Sequence, residues 1–201
     1  MTKQKFYELC IKKTFQIACY DENSPYYHIA EQLKLNDDDT FDVILIKLAS
    51  IGFAENIPQK EQFSVLGWKY IKQVLGFVLQ NLDDEELTNG FISMLNSNRS
   101  LINLKDKEQD DILYSVIYDN IVGNGYRGSD FSINLVDFYL TSKVKGRYID
   151  KVVSMAYAFG RTNLPLETII KIKNANPLKM NTSKIEKKNR YGKGRLPNMR
   201  T

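Results

Sequence analysis

Histidine is nearly missing from this chain: His28 is the only one among 201 residues, and there are just two cysteines, Cys10 and Cys19. Zinc sites draw their ligands mainly from His and Cys at close spacings, so this set excludes the usual zinc patterns. A triad would have to be built on His28, but no Ser or Cys nucleophile signature surrounds it. His28 is therefore expected as a partly buried helix residue. Cys10 and Cys19 fall on one expected helix, nine positions apart, and so point in different directions. They read as buried, reduced thiols in a cytoplasmic protein.

Long apolar runs are missing too. The first twenty residues, MTKQKFYELCIKKTFQIACY, mix lysines and a glutamate among the apolar positions, so they lack the uninterrupted apolar region of a signal peptide. Nothing elsewhere approaches the length of a membrane span, and no membrane association is expected. The aspartates at 37 to 39 lack the ligand spacing and the glycine of a calcium loop. "GNGYRG", Gly123 to Gly128, satisfies G-x-G-x-x-G, a pattern that carries a dinucleotide when it joins a strand to a helix. Here the preceding segment reads as helix and no run of strands is present. The stretch is expected to be an interhelical turn, with Arg127 a plausible anion contact, and no cofactor or metal is expected.

What is present is an ordinary globular composition, 43% hydrophobic, enough to pack a core in one or two small domains. The net charge of +4 is unevenly placed. Lys171 to Thr201 hold ten basic residues and one acid, a charge of +9, while 18 basic and 23 acidic residues leave −5 over the rest. A mildly acidic body with a strongly basic tail points to nucleic acid or an acidic partner, against the plainer reading of a solubilising tail.

The periodicity is helical. Phe6, Leu9, Cys10, Lys13, Ile17 and Tyr20 give one largely apolar face to a first helix from Lys5 to Tyr20. Ser24 as cap and Pro25 at the first position open a second, with Tyr27, Ile29, Ala30 and Leu33 on its packing side. Asp38 or Asp39 caps a third, Thr40 to Ile51, which Gly52 ends. Two short extended pieces follow, Phe53 to Asn56 and Gln62 to Val65, and then a fourth helix from Gly67 to Gln80.

"IAEQLKL", then "VILIKLASIGFAE", then "FSVLGWKYI" resembles the winged helix-turn-helix superfamily: an apolar second helix, a third ending in Leu-x-x-x-Gly-apolar, and a wing strand before Gly-x-x-Tyr. The resemblance covers residues 5 to 80, under half the chain, and implies a small β-wing and a third helix placed as a recognition helix. Downstream, "LDDEELTNGFISMLNS", "DKEQDDILYSVIYDNIVGNG", "SDFSINLVDFYLTSK", "GRYIDKVVSMAYAFGRT" and "LPLETIIKIKN" are read as five further helices. The second of these carries Ile112, Val116, Tyr118 and Ile121 near one side. The expected fold is thus mainly α: a winged-helix-like domain over 1–80, a helical domain over 83–173 and a basic flexible tail over 174–201.

On the third helix, Phe41, Ile44, Leu45 and Leu48 should face the core, which leaves Asp39, Asp42, Val43, Ile46 and Ser50 on the outward side. That side is acidic and apolar. Groove readers need cations and amides, and carboxylates repel the phosphate backbone. Asp39, Asp42, Val43 and Ile46 therefore suit a protein contact, or else a surface covered by the second domain. The wing offers only Lys60 beside Glu61. The tail differs: Lys184, Lys187, Lys188, Arg190, Lys193 and Arg195 surround Tyr191, a mixture suited to phosphates and to stacking on an exposed base.

The function expected is a non-enzymatic, nucleic-acid-associated protein whose tail contacts phosphates without sequence preference, while the folded body binds a protein partner or itself. The alternative is a scaffold subunit, phage- or virus-encoded, whose tail docks on an acidic protein. An enzyme ranks third, and its mark would be a pocket with convergent polar groups near Arg127 or His28.

Overall fold

The computed structural model describes residues 1–53, 67–123 and 129–175. Among these residues the chain is mainly α, with nine α-helices and no strand. The two expected wing pieces fall almost wholly on residues 54–66, outside the described residues. Phe53, the one described member, lies in a helical turn and not in a strand.

Helix α1 (Lys3–Ala18) is capped by the Thr2 side chain, which accepts from the Lys5 amide at 3.2 Å. It is buried on two sides. Phe6, Leu9 and Cys10 enter a large core, whereas Tyr7, Phe15 and Ala18 enter a smaller one. The single apolar face read from the sequence is thereby corrected. Tyr20 lies beyond the helix and is exposed, and Lys13 is an ion-pair residue, its Nζ lying 2.9 Å from both Asp84 and Glu86.

The smaller core is completed by α2 (Tyr27–Gln32) through Ala30, by Leu35, and by α3 (Phe41–Ser50) through Ile44 and Leu48. Helix α2 starts two residues later than Ser24 and Pro25 suggest. The Ser24 hydroxyl accepts instead from the Tyr26 amide at 3.3 Å and shapes the preceding turn. Helix α3 ends where a left-handed residue is needed: Gly52 has φ of +73°, a conformation that a Cβ disfavours.

The large core gathers every later helix. Helix α4 (Trp68–Gln80) contributes Tyr70, Ile71, Leu75 and Val78, and α5 (Glu85–Ser97), capped by Asp84, contributes Leu87, Phe91 and Leu95. Helices α6 (Lys107–Tyr118), α7 (Ser129–Thr141), α8 (Ile149–Phe159) and α9 (Leu166–Ala175) close it with residues such as Leu113, Leu135, Tyr139, Val152 and Ile169. Phe6 meets Phe91 at 5.7 Å between ring centroids, joining α1 to α5. This core runs across residues 80–83, where the sequence suggests a division, because α1 and α4 pack into it from the amino-terminal side.

Candidate functional site

On α3 the inward and outward faces separate cleanly. Ile44 and Leu48 are buried, while Ile46 is 71% exposed and Val43 37% exposed, with Asp42 and Ser50 exposed beside them. No described helix covers Ile46. Ile51, which follows the helix, is exposed as well.

Asp39 takes another role. The cap of α3 is Thr40, whose hydroxyl accepts from the Val43 amide at 3.4 Å, and neither Asp38 nor Asp39 occupies that position. Asp39 Oδ2 instead accepts from the Asn36 amide at 3.0 Å and from Lys47 Nζ at 2.7 Å. Lys47 Nζ also donates to the Lys34 carbonyl at 2.9 Å, at a residue whose φ of 49° turns the chain after α2. The Lys47 ammonium and the Asn36 amide hold the Asp39 carboxyl below its ordinary pKa. Asp39 is therefore a half-buried tie between the α2–α3 turn and α3. The outward face that remains is Asp42, Val43 and Ile46, so the structure brings three of the four expected partner residues together at the surface.

The expected nucleic-acid residues Lys184, Lys187, Lys188, Arg190, Tyr191, Lys193 and Arg195 lie outside the described residues, as does Arg127. The segment before "GNGYRG" is helical: α6 runs into a π-helical turn, Asp119–Gly123. His28 is corrected from partly buried to open, its side chain 93% exposed and 3.9 Å from Glu31. Cys10 is buried and Cys19 half-buried, both as free thiols. Burial pushes the Cys10 thiol up to about 12, which keeps it protonated and unreactive. Among the described residues no group of three or more His, Cys, Asp or Glu is placed to hold a metal ion. None of the described helices is long and apolar enough to cross a membrane.

One polar centre has no sequence signal. Asp110 is wholly buried; its Oδ1 accepts from the Tyr139 hydroxyl at 2.5 Å, and its Oδ2 from the Arg147 amide at 2.7 Å and Arg147 Nε at 3.3 Å. Arg147 Nη2 continues to Asp111 at 2.6 Å, and the Tyr148 hydroxyl donates to the same Asp111 oxygen at 2.6 Å. Tyr148 stacks on Tyr114 at 4.1 Å, and Lys151 Nζ lies 5.3 and 5.4 Å from the two ring centroids. Burial and the Asp110 bond raise the Tyr139 phenol, so it serves as a neutral donor. Gly146 is required here, since a Cβ would overlap the Tyr139 hydroxyl and Asp110 Oδ1. Both Asp110 oxygens are engaged within the chain, which makes the centre a tie between α6, α7 and the segment leading into α8. "DKEQDD" reads only as an acidic first turn, because the partners lie 29 and 37 residues downstream.

Comparison with protein families, with curated proteins and with solved structures finds no match to this chain.

Proposed function

We propose that the protein is a non-enzymatic adaptor: α1 to α3 form a winged-helix-like module whose third helix docks a protein partner, and the basic carboxy-terminal segment grips nucleic acid. The observation that carries the reading is Ile46, a large apolar side chain left 71% exposed beside Val43 and Asp42 on a helix whose other face is core. Exposed apolar residues grouped on one helix face mark interaction surfaces, and the neighbouring carboxylate turns phosphates away. The phosphate-binding half rests on charge, +9 in the final 31 residues.

Oligonucleotide affinity measured against salt, for the full chain and two variants, tests both halves. For about six phosphate contacts the single-strand log–log slope is roughly −4. Reversing Lys187, Lys188 and Arg190 to glutamate should remove most binding, and Ile46→Asp should leave it unchanged while abolishing association with the protein partner or with a second copy. Undiminished nucleic-acid binding after charge reversal moves that site to the folded body and leaves the tail to an acidic protein. Lost nucleic-acid binding in Ile46→Asp means that α3 touches nucleic acid.

A further inference from the structure

Along the seam between the two cores, α1, α4 and the turn after α1 line a half-open cavity of about 680 Å³. Sites that enclose a small organic molecule have this size and often lie where two packed units meet. One wall is aromatic. Phe15 and Tyr26 stand 5.4 Å apart between ring centroids, Tyr26 and Phe53 6.2 Å, and Phe15 and Phe53 6.5 Å, with the latter two pairs near perpendicular at 80° and 89°. The three rings thus pack against one another while all three line the cavity. Phe77 adds a further ring from α4.

The described residues lining the cavity include one charged group, Asp21, and no cation. Asp21 Oδ1 accepts from the Asn23 amide at 3.0 Å and from Asn23 Nδ2 at 3.2 Å, an arrangement that holds the carboxylate in the turn after α1, where it lines the cavity. Oδ2 has no partner among the described residues. Ring faces carry the negative end of the aromatic quadrupole, so a wall of rings beside a carboxylate attracts a cation and repels an anion. The apolar remainder, with Ile11, Ile17 and Val74, suits a hydrocarbon body.

We propose that this cavity binds a small organic ammonium, its charge at Asp21 and its alkyl or aromatic body among Phe15, Tyr26 and Phe53. The Cys10 thiol in the wall takes no covalent part, because burial keeps it neutral. The site stands apart from Ile46 and the basic tail, so it holds or fails without regard to the adaptor reading.

Calorimetric titration of the full chain with benzyltrimethylammonium, benzyl alcohol and benzoate tests it. The cation should bind saturably, one per chain, with the alcohol about tenfold weaker and no heat from benzoate. Asp21→Asn keeps an acceptor for Asn23 and removes the charge. It should weaken the cation about five- to tenfold and leave the alcohol unchanged. Val74→Trp, which fills the cavity from α4, should abolish both. If that variant fails to fold, Asp21→Asn still decides, since it lies on a turn outside the core. Alcohol binding as tight as the cation, indifference of the cation to Asp21→Asn, or no saturable cation binding each overturns the proposal.

Discussion

Replacing Asp110 by alanine removes an acceptor on which three donors converge. The Tyr139 hydroxyl, 2.5 Å away and wholly buried, would then have nothing to donate to, keeping only the Tyr148 amide that donates to its oxygen at 3.3 Å. Leaving such a group unpaired costs about 1–3 kcal/mol, and the Arg147 amide, 2.7 Å from the other oxygen, adds a similar or smaller amount. The guanidinium contributes little, because it is half exposed and keeps Asp111 at 2.6 Å. The total is about 3–5 kcal/mol, the range for breaking a buried charged pair. In a chain of this length each kcal/mol lowers Tm by about 2–4 °C, so a fall on the order of 10 °C is expected.

Thermal melts followed by circular dichroism, on Asp110→Ala, Tyr139→Phe and the double variant, separate this from loss of side-chain volume. Tyr139→Phe alone removes a charge-assisted bond to Asp110 and the acceptor of the Tyr148 amide, and should cost about 1.5–3 kcal/mol. On the Asp110→Ala background only the Tyr148 amide's bond to the hydroxyl is left to lose, so the same change should cost less than in the wild type, giving a coupling of about 1–3 kcal/mol. A fall of less than roughly 2 °C for Asp110→Ala, or additive effects in the double variant, would refute the reading of this centre as a structural tie.

Lys47→Met should cost about 1 kcal/mol, as for a partly exposed ion pair, and should flatten the acid limb of stability against pH. The sign follows from Asp39: its folded pKa is lowered, so its contribution is full above the ordinary carboxylate range and lost as pH falls through the depressed value. Melts from neutral to acid pH that superimpose for the wild type and variant would contradict it. Gly76→Ala, on the exposed side of α4 with no atom within 4 Å of the added Cβ, should stabilise by about 0.5–1 kcal/mol, raising Tm by about 1–4 °C. A lowered Tm would show that the position is occupied.

The helices were legible because their periodicity is local. Ile44 and Leu48 recur at the spacing of one helical face, and Ile46 with Val43 at the opposite one, so the exposed patch on α3 follows from a wheel. Local pattern also misled. Asp39 reads as outward by position, yet Lys47, eight residues on, draws it into a tie. Lys13 reads as one position on an apolar face, yet it pairs with Asp84 and Glu86, more than seventy residues away.

By itself, the sequence determined a mainly helical body, the scarcity of His and Cys that empties the zinc and triad patterns, and the concentration of positive charge after Lys171. These depend on composition and on spacings within a few turns. The tertiary structure alone decided which faces share a core, because burial is settled by pairings between distant segments. It split α1 between two cores, closed Asp110 onto Tyr139 and Arg147, and set Asp21 beside aromatic rings in the lining of one cavity. A carboxylate's neighbours, and not its own type, determine whether it ties the chain together or waits for a ligand.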